Sequence, residues 1–172
     1  PPQIKATDLR KVVVSTIELL APLVEKSNVR IEFISPEEAF PIHIDPDQFR
    51  QVISNLVMNA VQSMPQGGVV SVELNTQASD NQLRAPAPQQ AIRADTTYYC
   101  LAIKDEGAGI AEENIEHVFE PFFTTKGVGE GTGLGLSISY GIIKEHEGWI
   151  DVESVLGKGT CFYVYIPAEV SS

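Results

Sequence analysis

The sequence predicts an α+β sandwich of two layers, a mixed sheet covered by helices on one face. Three observations predict it. Three separated runs read as helices, at 8–26, 49–64 and 134–146, the middle one with an apolar stripe sustained over four turns. Six shorter runs read as strands, at 30–34, 39–44, 69–76, 97–105, 149–154 and 160–167. The chain has 172 residues, 43% hydrophobic and 20% charged, which fits one domain with a proper core.

Taken in order, the first helix starts at Asp8, a fitting cap, and carries Leu9, Val12, Val13, Thr16, Leu19, Leu20 and Leu23 on its apolar side. Pro22 is expected to kink it. Two strands follow. In DPDQ, Asp45 fits an N-cap, Pro46 the first helical position, and Gln48 the closing residue of a capping box. The next helix buries Phe49, Val52, Ile53, Leu56, Val57, Ala60, Val61 and Met64, and PQGG ends it. VVSVELNT is a strand. The polar, proline-bearing stretch 77–96 reads as a flexible insertion. TYYCLAIKD is the next strand, and a short helix covers 112–118. A glycine-rich segment, 127–135, opens the last helix. WIDVES and TCFYVYIP alternate around LGKG as a terminal hairpin.

Composition excludes several classes. The net charge of −11 argues against a nucleic-acid partner. It also means that an anionic ligand must be held by backbone N–H groups, a helix N-terminus or a metal ion. Cys100 and Cys161 are too few for a disulfide framework or a zinc site and read as core thiols in a reducing compartment. No apolar run approaches the ~20 residues that cross a bilayer. PPQIKATDLR carries no signal-peptide h-region. The expectation is a soluble, cytoplasmic domain, compatible with a membrane-anchored parent.

Three local features bear on chemistry. Gln51, Asn55 and Asn59 form a polar row with a spacing of four beside the apolar stripe. Such a row either faces water or meets a ligand. The absence of any charge between Arg50 and Glu73 favours neutral oxygens that ligate a hard cation without repelling a polyphosphate. In KDEGAGI, Asp105 emerges at a strand end, and Gly107 and Gly109 allow close backbone approach. An Asp so placed can accept from an exocyclic amine such as adenine's. In GEGTGLGLSIS, Gly127, Gly129, Gly131, Gly133 and Gly135 lead into an apolar helix, an arrangement suited to anions. No GK[ST] closes it as a Walker loop, and no strand precedes it as in a dinucleotide fingerprint.

NLVMNA, DEGAGI, FEPFFTTK and GTGLGL, in that order, resemble the N, G1, F and G2 boxes of the catalytic ATP-binding domain of sensor histidine kinases. GKGTCF is similar to the terminal GxGT box, and FEPFFTTK looks most like the nitrogen-regulation type. The resemblance covers residues 8 to 167 and implies a Bergerat ATP-binding fold spanning 1–172 as a single domain, with ATP and Mg²⁺ as cofactors. It implies that Asn59 ligates Mg²⁺ and that Asn55 contacts phosphate or the metal shell. Asp105 would accept from adenine, with Gly107, Gly109 and Ile110 about the base and Thr160 supporting it through water. Phe119 and Phe122 would anchor a lid. Thr125 and Lys126 would stand near the phosphates, and Gly131, Thr132, Gly133, Leu134, Gly135 and Leu136 would close over them. Asn55, Asn59 and Lys126 would be the catalytic set. Hydrolases of the same superfamily carry Glu where this chain has Asn55; an amide cannot be a general base, which favours transfer to a histidine over hydrolysis.

The implied activity is transfer of the ATP γ-phosphoryl group to a histidine on a separate dimerisation domain, then to a response-regulator aspartate, in a homodimeric parent. No segment here matches the phosphoacceptor. His43, His117 and His146 read as structural. Two alternatives stay open: a nucleotide-sensing interaction module, and an anti-sigma-type serine kinase of the same superfamily.

Overall fold

The computed structural model describes residues 1–78, 96–123 and 134–168. The elements run β1 (Lys5–Asp8), α1 (Leu9–Glu25), β2 (Val29–Ile34), β3 (Pro41–Ile44), α2 (Pro46–Gln62), β4 (Gly68–Ala78), β5 (Thr97–Lys104), α3 (Glu112–Ile115), α4 (Gly135–Glu145), β6 (Trp149–Val155) and β7 (Gly159–Pro167). Five strands form one mixed sheet in the order β2-β4-β5-β7-β6. The β2–β4 pair is parallel and the other three are antiparallel. The expected two-layer sandwich is therefore observed, with α1, α2 and α4 packed with the sheet in a single core.

The α2 stripe explains the packing. Phe49, Val52, Ile53, Leu56, Val57, Ala60, Val61 and Met64 are all at most 4% exposed. Each large apolar side chain so buried contributes ~1.5–3 kcal/mol. The facing strand residues Val70, Val72, Leu74, Leu101, Ile103, Phe162 and Val164 close the core from the sheet. The opposite face is not bare: Tyr98, Cys100, Trp149 and Tyr165 form a second small cluster, with Trp149 stacked on Tyr165 at 4.9 Å. Both cysteines are buried free thiols, as their strand positions suggest.

Four expectations need correction. β1 was not legible; it pairs antiparallel with β3 as a separate two-stranded sheet. The first helix buries Val24, whereas Leu19 and Leu23 are 75% and 49% exposed. Helical spacing defines a face but not how far along it a neighbour reaches. The short helix covers only four residues and continues as turns.

The fourth correction concerns the α2 cap. Asp45 Oδ1 does accept from the N–H groups of Asp47 and Gln48, at 3.0 and 3.2 Å. The reciprocal half of the box is not made by Gln48, whose Oε1 is buried without a partner. The Asp45 N–H instead donates to His146 Nε2 at 3.1 Å. His146 is the C-cap of α4, so this bond ties the end of α4 to the start of α2.

Candidate functional site

α2 carries the polar row between two anchors. At its C-terminal end, Ser63 caps the helix and its carbonyl accepts from the Ala108 N–H at 3.2 Å. Ser63 lies four residues after Asn59 and eight after Asn55, so it continues the row on the same helix face. At the other anchor, Asn55 Nδ2 donates to the Gly135 carbonyl and to Ser139 Oγ, both at 3.2 Å. With ~1.5 Å of rise per residue, the row from Asn55 to Ser63 spans about 12 Å. One end meets the loop after β5 and the other meets the first turn of α4. Asn55 and Asn59 are half-buried between them, whereas Gln51 is exposed.

The loop after β5 is fixed from three sides. Asp105 is 2% exposed, its N–H donates to the Thr160 carbonyl at 2.9 Å, and its Oδ1 accepts from Gly107 N and Thr160 N. Gly107 passes so close to α2 that a Cβ would stand 2.2 Å from Ser63 Oγ. Gly109 has φ +73, and a Cβ there would meet the Val155 carbonyl at 2.3 Å. These two glycines are thus demanded by the approach of the loop to α2 and to the β6–β7 turn. Ser154 binds the remainder: its Oγ accepts from Ile110 N at 2.7 Å and pairs with Thr160 Oγ1 at 2.8 Å. Ile110 packs against the main core, and Thr160 is buried.

α4 begins at Gly135 with Leu134 as N-cap, and among the described residues no side chain caps its first turn. Its opening N–H groups therefore point out of the helix end beside Asn55. A Cβ on Gly135 would lie 3.7 Å from Asn55 Cγ, ordinary contact, so this glycine is not sterically forced by Asn55. Leu136 packs on the core.

The aromatic pair after α3 divides. Phe119 seats between Tyr140 of α4 and Phe162 of β7, at 5.3 and 6.0 Å. Phe122, expected as a second anchor, is 72% exposed with φ +67, and the segment it would anchor lies outside the described residues. Beside it, His117 meets both Glu116 and Glu120, and the hydrogen bond to Glu120 holds its imidazole above the usual histidine range. Thr125, Lys126, Gly131, Thr132 and Gly133 lie outside the described residues.

The donor set can be tested against the implied cofactors. Among the described residues no three His, Cys, Asp or Glu side chains gather as a metal cluster. The groove offers amide and hydroxyl oxygens instead, from Asn55, Asn59 and Ser63. Neutral hard oxygens suit a divalent cation that brings a polyanion with it. A buried, oriented carboxylate at one end and an uncapped helix start at the other suit a base and a phosphate chain. The residues present fit a magnesium-bound nucleotide.

Comparison with known proteins decides the family. Residues 44–170 match the model of the histidine kinase-, DNA gyrase B- and HSP90-like ATPases. The chain belongs to that family. Over 161 residues it is 40% identical to sensor kinase CckA of Brucella abortus (strain 2308), covering 93% of this chain and 16% of that protein. It is 38% identical over 152 residues to sporulation kinase E of Bacillus subtilis (strain 168), covering 88% of this chain and 18% of the relative. The chain thus spans less than a fifth of these two relatives. The catalytic domain of the histidine kinase ThkA in a nucleotide-free form superimposes with a TM-score of 0.74 at 28% identity, covering 96% of this chain and 98% of that one. The expected ATPase fold is therefore observed. These relatives do not single out the nitrogen-regulation type. Among the described residues no helix is long and apolar enough to cross a membrane.

Three residues important to this geometry were missed by sequence reasoning: Ser63, Ser139 and Ser154. The first two had a signal. Ser63 extends the 51–55–59 row by one step, and Ser139 follows Gly135 by four residues on α4. Ser154 had none, because its role arises only from the turn that folds back onto it.

Proposed function

We propose that this chain is the ATP-binding catalytic domain of a two-component sensor histidine kinase, passing the γ-phosphoryl group of ATP to a histidine on a separate dimerisation domain and thence to a response-regulator aspartate. One observation carries the reading: the amide row of α2 is seated between the Asp105 loop and the open start of α4. The sensor-kinase name of the Brucella relative supports it.

Each residue then has a task. Asp105, oriented by the Gly107 and Thr160 N–H groups, accepts from the adenine amine, with Gly109 and Ile110 beside the base. The first-turn N–H groups of α4, at Gly135 and Leu136, face the phosphates. Asn59 gives its side-chain oxygen to the metal. Magnesium, when bound, neutralises the charge that develops on the transferred group. On sequence grounds Thr125 and Lys126 join the phosphates, and Gly131, Thr132, Gly133 and Leu134 cover them. Phe119 packs against Phe162. Asn55 cannot deprotonate water, whereas a neutral imidazole needs no base before it attacks. The arrangement thus favours transfer to histidine over hydrolysis.

The test combines the protein with a separately made dimerisation segment from a sensor kinase and γ-labelled ATP. Acid-labile, base-stable phosphate on a histidine is the expected product. Good ATP binding with no such product under any pairing would overturn the kinase assignment, and an acid-stable phosphoserine would replace it with a serine kinase.

A further inference from the structure

Few polar side chains are fully buried among the described residues: Thr16, Asp45, Asp105, Ser139, His146 and Thr160. Five have an assigned duty. Thr16 bonds back to the Val12 carbonyl within α1, Asp45 and His146 latch α2 to α4, and Asp105 and Thr160 fix the base loop. Ser139 is the sixth and the most deeply buried, at 0% exposure. A buried hydroxyl is costly unless it is bonded. Its partner is Asn55 Nδ2, at 3.2 Å.

The same nitrogen also donates to the Gly135 carbonyl at 3.2 Å. A backbone carbonyl only accepts, so this contact requires the NH₂ end of the amide. The two acceptors together consume both Nδ2 protons. They leave Oδ1 as the end of the amide not bonded to α4, and among the described residues no donor meets it. Without them the amide could flip and offer N–H groups to the ligand instead.

We propose that Ser139 is a positioning residue: with the Gly135 carbonyl it holds the Asn55 amide so that Asn55 meets the bound nucleotide as an oxygen ligand to its divalent cation, not as an N–H donor to phosphate. This rests on the nucleotide reading above. It deepens that reading by saying which face of Asn55 the ligand sees: the Gly135 carbonyl sets the orientation of the amide, and Ser139 adds the second bond that holds it there. It also links α2 to α4, because a shift of α4 would release Asn55.

The experiment titrates a non-hydrolysable ATP analogue into the wild type, Ser139→Ala, Asn55→Ala and the double variant, once with Mg²⁺ and once with EDTA. Ser139→Cys is the second variant; it preserves the packing and substitutes a weak acceptor. Ser139→Ala should lower the magnesium-dependent gain in affinity by roughly three- to tenfold, the worth of one hydrogen bond. Affinity in EDTA should be unchanged. Ser139→Cys should fall between wild type and Ala. The double variant should be no worse than Asn55→Ala alone, because the serine acts through the asparagine. A loss that is equal with and without metal, or additive with Asn55→Ala, overturns the proposal. So does wild-type behaviour of Ser139→Ala and Ser139→Cys in a protein that binds Mg²⁺ and the analogue. A wild type that takes up no nucleotide overturns the nucleotide reading itself, and this inference with it.

Discussion

Replacing His146 by phenylalanine isolates one hydrogen bond. The imidazole is buried, accepts from the Asp45 N–H at 3.1 Å through Nε2, and reaches the Ile142 carbonyl through Nδ1 at 2.7 Å. Its ring also stands edge-on to Phe49 at 4.9 Å. Phenylalanine retains a ring against Phe49 but removes the acceptor. The Ile142 carbonyl loses little, since the His146 backbone N–H already donates to it at 3.2 Å. The Asp45 N–H is left buried without a partner, which costs ~1–3 kcal/mol. At about 2–4 °C per kcal/mol for a domain of this size, the melting point should fall by roughly 2–12 °C. His146→Ala adds the lost ring contact and an unfilled space, a further ~1–3 kcal/mol. Urea denaturation followed by fluorescence and by circular dichroism measures both. The midpoint should fall in the order wild type, Phe, Ala, with unchanged slope. If His146→Phe stays within ~0.5 kcal/mol of wild type, the Nε2 bond is not satisfying a buried donor and the latch between α2 and α4 is wrongly assigned.

Three further outcomes follow from the same geometry. Gly107→Ala sets a Cβ 2.2 Å from Ser63 Oγ and 2.4 Å from the Ser63 carbonyl; the backbone cannot yield, so the variant should lose ~1–3 kcal/mol and the Ala108 amide should exchange faster. The His117 imidazole is raised above its ordinary value of 6.5 by Glu120 and Glu116. Its contribution to stability is full below that value and is lost as pH rises through the raised one. Melting curves of wild type minus His117→Gln should therefore decline across neutral pH, and a flat difference refutes the ion pair. The Asp45 carboxyl is held below its ordinary 3.8 by the Gln3 N–H first, then by those of Gln48 and Asp47, against the opposing effect of burial. Its contribution is present above pH 3.8 and disappears as pH falls through the depressed value. The stability gap between wild type and Asp45→Asn should close only in that acid range.

The legible parts of this protein are those whose meaning is local. The α2 stripe, the Asp45 cap, Pro46 at the helix start and the terminal hairpin all follow from spacing within a few residues, and each is observed. The parts that stayed hidden depend on distant partners. KATD at β1 has no apolar alternation and becomes a strand only through its register with β3. Gln48 satisfies the capping-box pattern, yet an imidazole 101 residues away takes the N–H it would have accepted. At the site, Asn55, Asn59 and Asp105 stood out because amides on an apolar helix and a carboxylate at a strand end are unusual. Ser63, Ser139 and Ser154 did not, because a serine is uninformative until its partner is known. The glycines were legible as close-approach points, but what approaches Gly107 and Gly109 is the protein's own α2 and β6–β7 turn.

Asn55→Asp separates a site built for an amide from one that merely tolerates it. The substitution is nearly isosteric, so packing is conserved. It replaces the NH₂ group with an acceptor oxygen facing the Gly135 carbonyl, which cannot donate. Ser139 Oγ could turn to donate, so one of the two contacts is recoverable and the other becomes repulsive. The loss at neutral pH should be about 1–3 kcal/mol, the cost of an unpaired acceptor at a half-buried position. Protonation would cure it, since a carboxylic acid again carries a donor. The folded state thus favours the protonated form, and the introduced carboxyl titrates above the ~3.9 of an unperturbed aspartate. The gap to wild type should therefore narrow as pH falls through that raised value because the variant gains stability there, whereas the Asp45 gap closes because the wild type loses it. A gap that is absent at neutral pH, or that widens in acid, would mean that α4 does not require an amide at position 55. The choice of Asn there would then have to be explained by the ligand alone.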